Sequence, residues 1–147
     1  MRIISGEFKG KILISPDNNE IRPTSDRGKE VIFDTLSSIL YKQDKEYKEI
    51  NILDIFCGSG SLGIEAISRG GKNIFFIDNS KKAINLTKMN CEKLNIKNVN
   101  LLNYNFFDIN LSLIKQADVI FLDPPYKSYE PSEILQILLS KSLLKII

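Results

Sequence analysis

Hydrophobic and polar positions follow one rhythm up to about residue 45 and another beyond it. Residues 2–14 read as two short strands around Gly6–Gly10, a hairpin pattern. Pro16-Asp17-Asn18-Asn19 reads as a turn. After Pro23, Thr24 or Ser25 can cap a helix reaching about Tyr41, with Val31, Ile32, Leu36, Ile39 and Leu40 as its apolar face. The polar stretch Lys42–Glu49 links this segment to the rest.

From Ile50 onward short apolar runs alternate with helical patterns. Ile50–Phe56, Asn73–Ile77, Val99–Leu102 and Asp118–Leu122 read as strands. Helices are expected at about Ser61–Arg69, Ser80–Leu94 and Glu130–Leu144, with a short helical segment at Ile109–Ile114. Strands separated by helices imply βαβ units and a parallel sheet buried on both faces. The expected architecture is therefore a doubly wound α/β domain over residues 46–147, preceded by a β-hairpin and helix over residues 1–45.

Composition narrows the chemistry. The 147 residues are enough for one core. With 0 His, no imidazole can serve as base or ligand, and the 2 cysteines, Cys57 and Cys91, are too few and too far apart for a zinc site; no metal is expected. Two isolated cysteines suit a reducing, cytoplasmic setting. A net charge of +2 means that nucleic-acid binding must come from a local patch. The N-terminus lacks the apolar core of a signal peptide, and no run approaches the roughly 18 apolar residues of a membrane helix, so no membrane partner is expected.

The first apolar run after the linker leads into Asp54-Ile55-Phe56-Cys57-Gly58-Ser59-Gly60-Ser61-Leu62-Gly63. Gly58, Gly60 and Gly63 fit GxGxxG, and Asp78 ends the next strand 20 positions after Gly58. Glycines admit a ligand close to the backbone, and a carboxylate after the second strand can accept from ribose hydroxyls. The bland alternative is a tight strand–helix turn. Asp54 tilts the choice of ligand: ahead of the glycines it would repel a pyrophosphate and attract an ammonium, which favours S-adenosyl-L-methionine over a dinucleotide. Equally, it could only cap loop amides. Asn105, after the third strand, could offer its carbonyl and amide to an adenine edge, or be an ordinary turn asparagine.

Asp123-Pro124-Pro125-Tyr126 ends the last strand, at the edge where open α/β sheets bind ligands. Two prolines remove two backbone donors and fix φ. The Asp123 side chain and the Pro124 carbonyl then form a rigid acceptor pair for an exocyclic NH₂, and Tyr126 offers a face for stacking the base. Such bonds would aim the nitrogen lone pair at a methylsulfonium, an electrophile that needs positioning more than acid–base help.

These residues resemble the RsmD-type methyltransferases, which methylate a guanine N2 amine in bacterial 16S ribosomal RNA. Arg2-Ile3-Ile4-Ser5-Gly6 with Lys9-Gly10, Arg22-Pro23-Thr24-Ser25-Asp26-Arg27 with Glu30 and Phe33, Asp54 through Gly63 with Glu65, and Asp123 through Tyr126 all match that family's motifs. The resemblance implies a Rossmann-like class I methyltransferase fold and S-adenosyl-L-methionine held by Asp54, Phe56, Gly58, Ser59, Gly60, Gly63, Asp78, Asn105 and Thr24. It implies RNA contact by the hairpin through Arg2, Lys9 and Lys11, with Arg22 and Arg27 in a segment that closes over cofactor or nucleotide. Read from the residues alone, the two arginines could equally pair with Asp26 and Glu30. The implied partner is 16S ribosomal RNA or an assembling 30S subunit, met by a monomer. Family members carry further strands after the last helix, whereas Leu143–Ile147 reads as the start of a fifth strand, so the C-terminal strands of the fold are expected to be missing. An inactive RNA-binding remnant and a DNA adenine methyltransferase are the alternative readings.

Overall fold

Runs of Ile, Leu, Val and Phe without polar interruption form strands that can be buried on both faces. In the computed structural model, which describes residues 1–15, 25–108, 117–124 and 130–140, four such strands pair in parallel. They are β1 (Asn51–Ile55), β2 (Asn73–Asp78), β3 (Asn100–Asn103) and β4 (Val119–Leu122), in the spatial order β3-β2-β1-β4. Parallel neighbours cannot be joined by a tight turn, so helices return the chain. These are α2 (Ser61–Ser68) and α3 (Lys81–Lys93), with α1 (Asp26–Lys42) before the sheet and α4 (Pro131–Ser140) after it.

Side-chain alternation along each strand divides the core in two. Ile52, Ile74, Phe76 and Phe121 pack with Phe33 and Leu36 of α1, Ile64 of α2 and Ile84 of α3. Leu53, Ile55 and Ile77 face the other way, onto Phe106, Ala117 and Ile134 of α4. Both faces of the sheet are covered, as a doubly wound α/β domain requires. The turn expected at Pro16–Asn19, the short helix at Ile109–Ile114 and the strand start at Leu143–Ile147 lie outside the described residues.

Two local expectations need correction. The buried stripe of α1 is Lys29, Phe33, Leu36 and Leu40, while Val31 and Ile39 are 63% and 47% exposed. Counting apolar residues rotates the helix because it treats Lys29 as solvent-facing. The Lys29 ammonium is instead buried, donating to the Arg2 carbonyl and lying 4.0 Å from Asp26. Burial lowers its pKa, and the charges of Glu65 and Asp26 oppose that. Ser25 caps the helix, its hydroxyl accepting from the Gly28 amide at 3.0 Å.

The second correction concerns residues 1–15. They form an antiparallel arm with a single bridge, Arg2 to Ile12, instead of two paired strands. Much of the arm's remaining backbone hydrogen bonding goes to α2 and α3 side chains. The fully buried Glu65 carboxylate accepts from Ile4 N at 2.8 Å and Ser5 N at 3.0 Å, and from Arg69 Nε at 3.0 Å. Ser68 Oγ accepts from Phe8 N and donates to Ser5 O, while Ser68 O, a carbonyl at the end of α2, accepts from Glu7 N at 2.8 Å. Ile3 and Leu13 thereby reach the same core as α1 and the sheet.

Gly6 sits at the closest approach, with φ +83°; a Cβ there would lie 1.8 Å from Ser68 O. Gly6→Ala therefore forces the arm off α2 and is expected to cost about 2 kcal/mol or more. Urea unfolding measures this, and an unchanged midpoint would disprove the docking.

Candidate functional site

β1 leaves the sheet at Ile55 and β4 leaves it beside β1, Leu122 lying opposite Ile55. The chain runs β1→β2→β3 in one direction and returns to place β4 on the other side of β1. The connections therefore diverge at the carboxyl ends of β1 and β4, the topological switch point where open α/β sheets bind ligands. The loop after β1 and Asp123-Pro124 after β4 both emerge there.

The loop is held rigidly from behind. Phe56, Gly58 and Gly60 have φ of 60°, 56° and 76°, so three of five consecutive residues are left-handed. For an aromatic residue that conformation is costly and persists only where its surroundings impose it. Gly58 N donates to Asp78 Oδ2 at 3.0 Å, and Gly60 N donates to Cys57 O at 2.7 Å. Thr87 Oγ1 donates to Gly58 O at 3.0 Å, and Asn90 Nδ2 donates to Ser59 O at 3.0 Å. The third glycine of the motif serves packing: a Cβ on Gly63 would meet the Phe76 ring at 2.3 Å.

Asp54 is buried beneath this loop, its Oδ2 accepting from Gly63 N at 2.9 Å. Its carboxyl is pushed up to about 8, by burial first, against the Gly63 hydrogen bond, with the charges of Asp123 and Asp78 adding to the rise. The carboxylates that follow β4 and end β2 are thus both within electrostatic reach of Asp54. A cation beside Asp54 would oppose that rise, since a nearby positive charge favours the ionised carboxylate. Asp78 also accepts from Ser80 N at 2.8 Å through Oδ1, so both its oxygens are oriented by backbone. The buried thiols of Cys57 and Cys91 are raised by desolvation, Cys91 to about 11, and take no part as nucleophiles.

The remaining expected residues divide. Asn105 is exposed and its Oδ1 accepts from Phe107 N at 3.1 Å, a local turn. Arg2, on the arm, pairs with Asp26 at 2.9 Å. Lys9, Lys11 and Arg27 are exposed. Thr24, Arg22, Pro125 and Tyr126 lie outside the described residues. Sequence reasoning passes over Thr87 and Asn90, both fully buried. A threonine and an asparagine on the stripe that also carries Ile84 and Cys91 are a visible sign of polar work inside the core. No helix among the described residues is long and apolar enough to cross a membrane.

The raised Asp54 carboxyl ties stability to pH. An acid whose folded pKa lies above its unfolded value holds a proton that the unfolded chain has lost, so its contribution is full at low pH and disappears as pH rises. Unfolding free energy is expected to fall between pH 3.8 and about 8 from this group, and Asp54→Asn is expected to flatten that slope. Parallel denaturation series for the two proteins at stepped pH values check it; identical slopes would refute the assignment.

With the fold and site in view, comparison with known proteins is specific. A family model described as conserved hypothetical protein 95 matches residues 1–146. Ribosomal RNA small subunit methyltransferase D of Haemophilus influenzae is 32% identical over 151 residues, covering 99% of this chain and 74% of that protein. The same-named protein of Buchnera aphidicola (subsp. Baizongia pistaciae) is 34% identical over 145 residues, covering 99% and 71% respectively. Among solved structures, an Escherichia coli protein named as a candidate methyltransferase superimposes with a TM-score of 0.79 at 27% identity, covering 99% of this chain and 75% of that one. The fold is the Rossmann-like class I methyltransferase fold, and the chain belongs to the RsmD family that its motifs resemble.

Proposed function

We propose that this chain transfers a methyl group from S-adenosyl-L-methionine to the exocyclic N2 amine of a guanine in 16S ribosomal RNA, within a bacterial cytoplasm. The observation that carries the reading is the pairing of β1 with β4, Ile55 opposite Leu122. It sets the glycine loop and Asp123-Pro124 on neighbouring strand ends, about 5 Å apart across the sheet. One half of the site suits a nucleoside cofactor and the other an amine.

The cofactor residues fit a cationic amino-acid nucleoside better than a dinucleotide. The buried Asp54, crowded by Asp78 and Asp123, gains from a positive charge nearby and would be opposed by a phosphate. Asp54, Phe56, Gly58, Ser59, Gly60, Gly63 and Asp78 are the residues that would hold S-adenosyl-L-methionine, with Asn105 offered to its adenine edge and Thr24 added from the family resemblance. When bound, the cofactor supplies a methyl group on a sulfonium, an electrophile that needs little activation. A cation taken up there would favour the ionised form of Asp54, opposing the burial that raises its carboxyl.

The acceptor half does the orienting. The Asp123 carboxylate and the Pro124 carbonyl accept the two amine protons, turning the nitrogen lone pair toward the methyl group, and Tyr126 stacks the base. Asp123 or water takes the proton that the product amine sheds. Residues 1–45 carry the RNA contact and cofactor closure, with Lys9 and Lys11 of the arm meeting phosphates and Arg22 and Arg27 near the nucleotide. The partner is 16S ribosomal RNA, free or in an assembling 30S subunit.

Labelled methyl transfer to naked 16S RNA, 30S particles and DNA is the direct test. Asp123→Ala is expected to lower transfer by at least about a hundredfold while S-adenosylhomocysteine still binds. Retained turnover would remove Asp123 from the site, and transfer to DNA alone would replace the RNA reading. Reversing charge at Lys9 and Lys11 is expected to weaken RNA binding and to lower the salt slope by about 1 for each phosphate no longer neutralised. An unchanged slope would mean that RNA docks elsewhere.

A further inference from the structure

Asn90 lies on the inner face of α3, fully buried, and spends its whole amide on two backbone segments far apart in sequence. Its Oδ1 accepts from Ile14 N at 2.6 Å, and its Nδ2 donates to Ile14 O at 3.2 Å and to Ser59 O at 3.0 Å. Toward Ile14 the side chain behaves like a neighbouring strand, satisfying both backbone groups of one residue. Toward Ser59 it holds the middle of the glycine loop. A second contact joins the same two segments directly, Ser59 Oγ donating to Met1 Sδ at 3.5 Å. One turn earlier on α3, Thr87 fixes the adjacent carbonyl of Gly58.

We propose that Asn90 is a positioning residue that locks the N-terminal arm and the glycine loop into one unit, so that the arm's docking sets the loop's readiness for its cofactor. The physical reason is saturation. A buried carboxamide has one oxygen and two amide hydrogens, and here each is committed to backbone. Neither segment can shift without leaving a buried donor or acceptor unpaired, so displacement of one is transmitted to the other. Ile14 is the last arm residue but one before Pro16, and the arm also carries Lys9 and Lys11. The cofactor half of this inference rests on the function proposed above; the mechanical half does not.

The test uses Ile14→Pro, which replaces the N–H that donates to Asn90 Oδ1 with a ring carbon and changes no residue of α3 or the loop, alongside Asn90→Ala. In ligand-free protein, hydrogen exchange at the Gly58 and Gly60 amides is expected to quicken about tenfold in Ile14→Pro, with the β1 amides unchanged. Loop amides that stay as protected as in the wild type overturn the proposal, whatever the protein binds. S-adenosylhomocysteine affinity, measured by calorimetry, is expected to fall about tenfold in Ile14→Pro. The double variant is expected to bind no more weakly than Asn90→Ala alone, because both changes break one linkage. Additive losses overturn it, since they would mean independent structural damage. Loosened loop amides in Ile14→Pro, together with a wild-type chain that binds no S-adenosylhomocysteine, would sink the cofactor reading and leave the clamp standing. Should Asn90→Ala fail to fold, Ile14→Pro alone decides the point through its loop amides and its affinity.

Discussion

The pairing of β1 with β4 is the constraint from which the rest follows. It makes β1 an inner strand, buried on both faces, and turns the chain's reversal into a crevice at its carboxyl end. Side-chain alternation then sends Ile52 toward α1, α2 and α3, and Leu53 and Ile55 toward α4. Asp54 shares Ile52's parity, so it points under the start of α2, where the Gly63 amide meets it. The position of the most perturbed carboxyl in the site is thus a consequence of strand register.

Buried polar side chains fasten the arm and the glycine loop to the helices beside them. Glu65 and Ser68 of α2, and Thr87 and Asn90 of α3, bond mainly to backbone and not to one another. Removing such groups from water is costly, and saturating them with backbone partners offsets that cost while fixing a unique geometry. Lys29 extends the pattern to α1, since its ammonium reaches the Arg2 carbonyl beneath the arm. Asp54 is the exception in this set. Burial, reinforced by the charges of Asp78 and Asp123, raises its carboxyl well above the usual carboxylate range.

The strand–helix alternation is legible because each element is short, strongly patterned and bounded by a marker. Ser80 caps α3 at the start that the pattern predicts, with the Ala83 amide at 3.3 Å, and the glycine run follows β1. The face of α1 is not legible. Apolar character points Val31 and Ile39 inward, yet the stripe is set by Lys29 and Phe33, and a buried lysine reads as polar until its partners are known. The arm misleads for a related reason. The short apolar runs in residues 2–14 predict two paired strands, but beyond the bonds across the Arg2–Ile12 bridge several backbone groups of the arm are claimed by Glu65, Ser68 and Asn90, residues some 60 to 76 positions away. Glu65 is visible as part of a motif, and its work as the arm's anchor is not.

Local chemistry was decided by the sequence itself. The absence of histidine, the GxGxxG spacing, the acid after the second strand and the Asp-Pro-Pro-Tyr sequence depend on residue type and on neighbours within a few positions. Those properties persist in any fold that keeps the segment intact. Tertiary structure alone decided which segments meet: that β4 returns beside β1, that Asp54, Asp78 and Asp123 share one field, and that Asn90 holds Ile14 and Ser59 together. Strand order and buried hydrogen bonds between distant residues carry no local signature, because they are set by which arrangement covers both faces of the sheet and leaves no buried polar group unpaired.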